Sequence, residues 1–382
     1  MKYKAFQDFY IEENIKHLVL HEHNGILISP PFATEKCRDY NKVLCIDGDT
    51  IRYIDLELPS ATSKFNAVTS IDNSVWFIPY GIWDDFNVVV QLKDFSPIYH
   101  KIDKPGKGQF YNIATDGATA FSFPLGYEHT SYGIFIKDEQ VNTIDIDRQE
   151  HIKLHMGCVF ANGKYWSAPR SDTPGYVNMV SFDGDNIQTY PIYVNNPDVT
   201  RKYTDIIVKG NTLYSLPFGE TPGLTELLEF DTETNTYILH ELKIPDFAKK
   251  YNVGVLVNDV IIALPYGDEH YLDSNWGLVY DTITGEHFLF DIGLKFGGKY
   301  RFRSGIEFNN MAVFFPTGTP TCPIMCIDST GIIKKIELPN LLVGRPILHK
   351  NKLCTIAYHI QTEKHFVLSM DSSLEINLIE ID

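Results

Sequence analysis

Trp76-Phe77-Ile78-Pro79-Tyr80-Gly81 is the stretch that decides how this chain folds, because its pattern of an apolar run followed by Pro-x-Gly recurs. It returns at Pro124-Leu125-Gly126, Pro217-Phe218-Gly219, Pro265-Tyr266-Gly267 and Pro316-Thr317-Gly318. Degraded copies stand at Pro30-Pro31-Phe32, Pro169-Arg170-Ser171 and Tyr358-His359-Ile360, which makes eight markers at intervals of roughly 42 to 52 residues. Proline ends donation to a strand ladder and glycine permits a sharp exit, so the marker itself reads as the end of a strand and the opening of a loop.

Around each marker the same four-part grammar repeats. In the second repeat, 65–71, 75–78, 87–92 and 97–102 read as four short strands, with the marker closing the second. The turn between the third and fourth strands opens with Asp in every repeat: Asp47, Asp94, Asp138, Asp183, Asp231, Asp281, Asp328 and Asp371. An Asp in that place bonds its own backbone in an Asx-turn, so these residues are turn formers rather than eight acid or metal sites. Four antiparallel strands per repeat, with no helical period, predict an all-β fold: one β-propeller filling 1–382. The blades are expected at about 15–58, 64–103, 110–147, 153–193, 202–243, 251–292, 301–337 and 344–382. Both terminal repeats carry all four strands, so the ring is expected to close by packing alone or with an added strand from Tyr3 to Ile11. Seven blades is the alternative if one terminal repeat is incomplete.

The chain therefore resembles the β-propeller superfamily, and its turn-marked repeats are loosely similar to Kelch repeats. The Gly-Gly pair that ends the second Kelch strand is replaced here by Pro-x-Gly, and the resemblance implies a fold and no activity.

The 382 residues carry a formal charge of −16, which argues against nucleic acid as a partner, since neutralising phosphates requires a basic field. Met1 to Asn14 is mixed and partly acidic, unlike a signal peptide, and no apolar stretch reaches the length of a membrane span. The six cysteines show no C-x-x-C pairing. A cytoplasmic protein with reduced thiols and no membrane partner is expected.

In a propeller the first strand of each blade lines the central channel, and every marker opens a loop on one face of the ring. Counting thirteen residues back from each marker reaches the channel mouth on that face, at His17, Asn66, Tyr111, Met156, Thr204, Asn252, Arg303 and Arg345. Basic residues gather just upstream, at Lys64, Lys107, Lys153, Arg201, Lys202, Lys249, Lys250, Lys299 and Arg301, and predict positive charge around that mouth. Arg303 and Arg345 come from neighbouring blades and match a carboxylate or phosphate, which guanidinium groups bind bidentately.

The marker loops add Glu128 with His129, Glu269 with His270, Arg170, and the rings of Trp83, Tyr266 and Trp276. Aromatic faces beside carboxylates suit a glycan or a peptide, and a Glu-His pair suits proton transfer or metal binding. His21 and His23 have a spacing that metals accept, but fall on the opposite face; no metal site and no defined cofactor is assigned.

Two functions stay open. One is a binding module whose channel mouth takes a peptide, a glycan, another anionic small molecule or a partner protein. The other is a lyase, hydrolase or isomerase acting on an anionic substrate, with His270, Glu269, His129 and Glu128 as proton movers or metal ligands.

Overall fold

A computed structural model describes residues 13–81, 86–104, 110–125, 131–146, 155–266, 275–294, 302–316 and 322–381. Its strands form eight separate antiparallel sheets in chain order, each a meander of four successive strands. In blade 8 the first strand is broken into Leu341–Val343 and Ile347–His349, both paired with Lys352–His359. The architecture is an eight-bladed β-propeller.

Burial follows position within the blade. The second and third strands are nearly continuous apolar runs, and Ser74–Pro79 is buried along its whole length. Fourth strands such as Ser96–Lys101 form the outer edge and leave most of their residues half-buried or exposed. Apolar side chains from adjacent blades merge into shared cores; Trp76, Ile78 and Val89 of blade 2 pack with Ile113, Ile134 and Ile136 of blade 3.

Seven of the eight turn aspartates fall into two kinds, and Asp47 instead pairs with Thr50 as the last residue of its strand. Asp183, Asp231, Asp281, Asp328 and Asp371 each accept backbone N–H groups two and three or four residues on, at 2.7 to 3.2 Å, which is the Asx-turn chemistry their position implied. Asp94 and Asp138 instead sit at φ 48° and 52°, followed by Phe95 and Glu139 at 61° and 58°. Two consecutive left-handed residues make the tight two-residue hairpin whose twist matches the strands.

The Pro-x-Gly marker does more than end a strand. The amide of its middle residue donates to a carbonyl at the start of its own blade's first strand, as Tyr80 does to Lys64, Phe218 to Lys202 and Tyr266 to Lys250, each at 2.8 Å. Its own carbonyl accepts from the next blade: Phe32 from the Lys64 amide at 2.8 Å and Phe218 from the Lys250 amide at 2.9 Å. These bonds form a belt that stitches blade to blade, and the middle residue of the marker lies inside it.

Ring closure needs no strand borrowed across the seam among the described residues. Leu20, Leu27 and Leu44 of blade 1 pack on Cys354, Ile356 and Val367 of blade 8. The segment before blade 1 adds a strap, with the Lys16 amide donating to His365 Nε2 at 3.0 Å and the Ile15 amide to Thr34 Oγ1 at 3.1 Å. The strand considered at Tyr3 to Ile11 lies outside the described residues.

A candidate anion site in the central channel

The site lies at the start of the first strands, where the pairing of several blades is irregular. In blades 2, 6 and 7 the pairing of the first two strands slips between Phe65 and Ala67, between Tyr251 and Gly254, and between Phe302 and Ser304. Phe65, Tyr251 and Phe302 pair with the marker prolines and are fully buried between blades. The bulge that follows breaks the strict alternation of a strand, so two successive residues are free to face the channel.

At this level of the channel, blades 3 to 8 enclose a cavity of about 180 Å³, lined by Tyr111, Met156, Thr204, Asn252, Arg303 and Arg345. The residue after each of these, Asn112, Gly157, Asp205, Val253, Ser304 or Pro346, completes the wall. That second column includes Asp205, the carboxylate that counting from the markers passed over. Reading the adjacent column of the same repeat alignment would have found it.

Each arginine is held by an aromatic residue. The Arg345 guanidinium lies 4.4 Å from the centre of the Tyr111 ring, a cation–π contact. Arg303 donates from Nε and Nη2 to the Tyr266 hydroxyl at 3.2 and 3.0 Å. Thr204 and Asn112 are committed elsewhere, donating to the carbonyls of Asn252 at 2.9 Å and Cys158 at 3.4 Å.

Ionisation in the cavity is shifted in both directions. Burial pushes the Asp205 carboxyl up to about 6, against the opposing pull of the Ile206 amide and the Arg345 charge. Burial also raises the Tyr111 phenol, but the charges of Arg345 and Arg303 outweigh it and hold the group below its ordinary value. Because Asp205 is raised in the folded chain, its neutral form stabilises the fold at low pH, and that contribution is lost as pH rises through about 6. Asp205→Asn keeps the acceptor for the Ile206 amide and removes the charge. The melting temperature of the variant is expected to match the parent below about pH 4, to pull ahead of it between about pH 4 and 6 and to hold that margin at higher pH, measured by calorimetric scans across that range. A difference independent of pH would contradict this account.

Several expected site residues lie elsewhere. His17 is one residue out of register: the Phe32 amide bonds the Lys16 carbonyl just as the Tyr80 amide bonds that of Lys64, so Pro31 and not Pro30 is the first marker. His17 is accordingly buried beneath the channel wall, bonded to the Pro30 carbonyl and the Tyr40 hydroxyl at 3.1 and 2.9 Å. Asn66 is also buried and donates to the Tyr111 carbonyl at 3.3 Å. Arg170 and Tyr266 are middle residues of markers and lie inside the belt, 2% and 0% exposed, so they are interior and not rim residues. Trp276 is exposed. Trp83, Glu128, His129, Glu269 and His270 fall outside the described residues.

The positive collar is corrected too. Lys64 and Lys202 are buried and turn away from the channel, donating to loop carbonyls that include Ala61 at 2.8 Å and Val199 at 2.8 Å. Lys250 does the same toward Phe247, and pairs with Asp246 at 3.1 Å. Arg201 is paired with Asp172 and Glu220, and Lys249 with Glu220. Lys107, Lys153, Lys299 and Arg301 lie outside the described residues. His21 and His23 share the Ser70 hydroxyl at 2.7 and 2.9 Å. Among the described residues no three His, Cys, Asp or Glu side chains are grouped to hold a metal ion.

No protein-family model matches this chain, and no curated protein matches it by sequence. Solved structures do match in shape. A catalytically inactive virginiamycin B lyase from Staphylococcus aureus with quinupristin superposes with a TM-score of 0.56 at 12% identity, covering 77% of this chain and 92% of that one. BamB from Moraxella catarrhalis gives 0.57 at 10% identity over 88% and 92%. Apo AztD from Citrobacter koseri gives 0.54 at 11% over 96% and 94%. Identities this low establish the propeller and leave its activity to be argued from the site.

Proposed function

We propose that the protein is a binding module that takes a small anionic ligand into the channel cavity between Arg303 and Arg345. The observation that carries this reading is that two guanidinium groups from adjacent blades line one cavity in a chain of net charge −16. Among the described residues Arg345 has no carboxylate within ion-pair distance, and the aromatic ring beneath it fixes the guanidinium without neutralising it. A half-buried charge of this kind is balanced when a counter-charge arrives with the ligand. The six unpaired cysteines fit a reducing compartment, and we place the protein in the cytoplasm on that ground.

Calorimetric titration with citrate tests the reading. Saturable binding is expected, weakened at least tenfold (about 1.4 kcal/mol) by Arg345→Ala and weakened by added salt. No binding, or binding indifferent to Arg345→Ala, would contradict it.

A second reading, catalysis on the bound anion by a lyase, hydrolase or isomerase, is favoured by one observation. Asp205 and Tyr111, shifted in opposite directions from their ordinary values, share the cavity with the arginines. It would require a substitution such as Tyr111→Phe to abolish turnover while leaving binding nearly intact.

A further inference from the structure

Two polar groups in the cavity wall have no partner among the described residues. The amide oxygen of Asn252 and the hydroxyl oxygen of Ser304 are buried without a hydrogen bond, on residues only 4% and 8% exposed. Leaving such atoms dry and unbonded is costly, and native proteins keep few of them. Both residues belong to the lining of the cavity that holds the arginines. One oxygen of Asp205 accepts the Ile206 amide at 3.0 Å, and its second oxygen has no hydrogen-bond partner among the described residues. The cavity thus combines two cationic groups with two acceptor oxygens that seek donors and one hydroxyl that can donate or accept.

We infer that the ligand is a polyhydroxy monocarboxylate of sugar-acid type, its carboxylate on the arginines and its hydroxyls on Asn252, Ser304 and Asp205. This rests on the anion reading above and narrows it. A simple carboxylate would satisfy the arginines and strand the acceptors of Asn252 and Asp205, whereas a neutral sugar would do the reverse. A volume of about 180 Å³ leaves room for one compact ring.

The test is calorimetry on the full chain at pH 7.5 with four probes: D-glucuronate, cyclohexanecarboxylate, D-glucose and L-serine. Glucuronate is expected to bind at least tenfold more tightly than each of the others. In Asn252→Leu its advantage over cyclohexanecarboxylate is expected to fall to about threefold or less, because the hydroxyl loses its acceptor. If Asn252→Leu does not fold, as judged by near-ultraviolet circular dichroism, Asn252→Asp replaces it. That isostere keeps an acceptor and sets a like charge beside the carboxylate, with an expected loss of about tenfold for glucuronate; an unchanged affinity would overturn the placement.

Equal affinities for glucuronate and cyclohexanecarboxylate would overturn the sugar-acid inference and leave the anion reading standing. Tighter binding of serine would overturn it in favour of an ammonium group facing Asp205. Failure of both carboxylates and of citrate would remove the anion reading as well.

Discussion

Gly344→Ala is expected to destabilise the propeller by about 3 kcal/mol, the upper end of what an added methyl costs in a packed site. Gly344 stands on the seam between blades 8 and 1, where a Cβ would lie 2.0 Å from the Leu18 carbonyl oxygen and 3.1 Å from its carbon. Neither side can yield cheaply. The Gly344 amide donates to the Ile356 carbonyl at 2.8 Å. On the other side, the carbonyls flanking Leu18 are engaged by the Ser29 hydroxyl, at Val19, and the His17 segment is held through the Phe32 amide, at Lys16. The seam joins the two ends of the chain, so a methyl there opposes closure of the whole ring. Denaturant unfolding monitored by tryptophan fluorescence would measure the loss; a change within 0.5 kcal/mol, the scale of neutral surface substitutions, would mean that the seam is not packed as described.

Trp166→Ala carries the second large effect, about 4 kcal/mol. The side chain is fully buried, and its rings lie 5.5 Å from Tyr190 in its own blade and 5.3 Å from Phe230 in blade 5. It joins the blades as well as filling one. Its indole also donates to the Ala161 carbonyl at 3.0 Å, so truncation opens a cavity and strands an acceptor. Trp166→Phe is expected to recover roughly half of the loss, since the ring returns without the donor. Trp276, 39% exposed, provides the contrast: its alanine variant is expected to stay within about 1 kcal/mol of the parent in the same denaturant experiment.

The repeat carries the fold in plain sight because the physics that ends a strand is local. Proline and glycine act through their own backbone, so Pro79 or Gly219 can be read without knowing what lies beside them. The channel arginines were legible for the same reason: once the strand was placed, a fixed count from the marker reached Arg303 and Arg345. What could not be read was anything that depends on a neighbouring blade. Lys202 looks like surface charge in the sequence, and only the packed ring shows it bonded to the Val199 and Tyr176 carbonyls. The middle residue of the marker looks like the first residue of a rim loop, until the belt of interblade hydrogen bonds puts Tyr266 and Arg170 inside. Asp205 was hidden because the count from the marker reaches one residue per blade, whereas the cavity wall takes two adjacent ones. His17 was lost to a doubled proline, Pro30-Pro31, in which the choice of marker shifts the count by one.

The central claim is that the channel cavity between Arg303 and Arg345 is an anion site, and a crystal structure of the protein soaked in citrate tests it most directly. The expected result is a carboxylate at about 2.7–2.9 Å from guanidinium nitrogens of both arginines, with Tyr111 and Tyr266 still holding them in place. Citrate absent from the cavity, with both guanidinium groups turned onto protein carboxylates, would contradict the account.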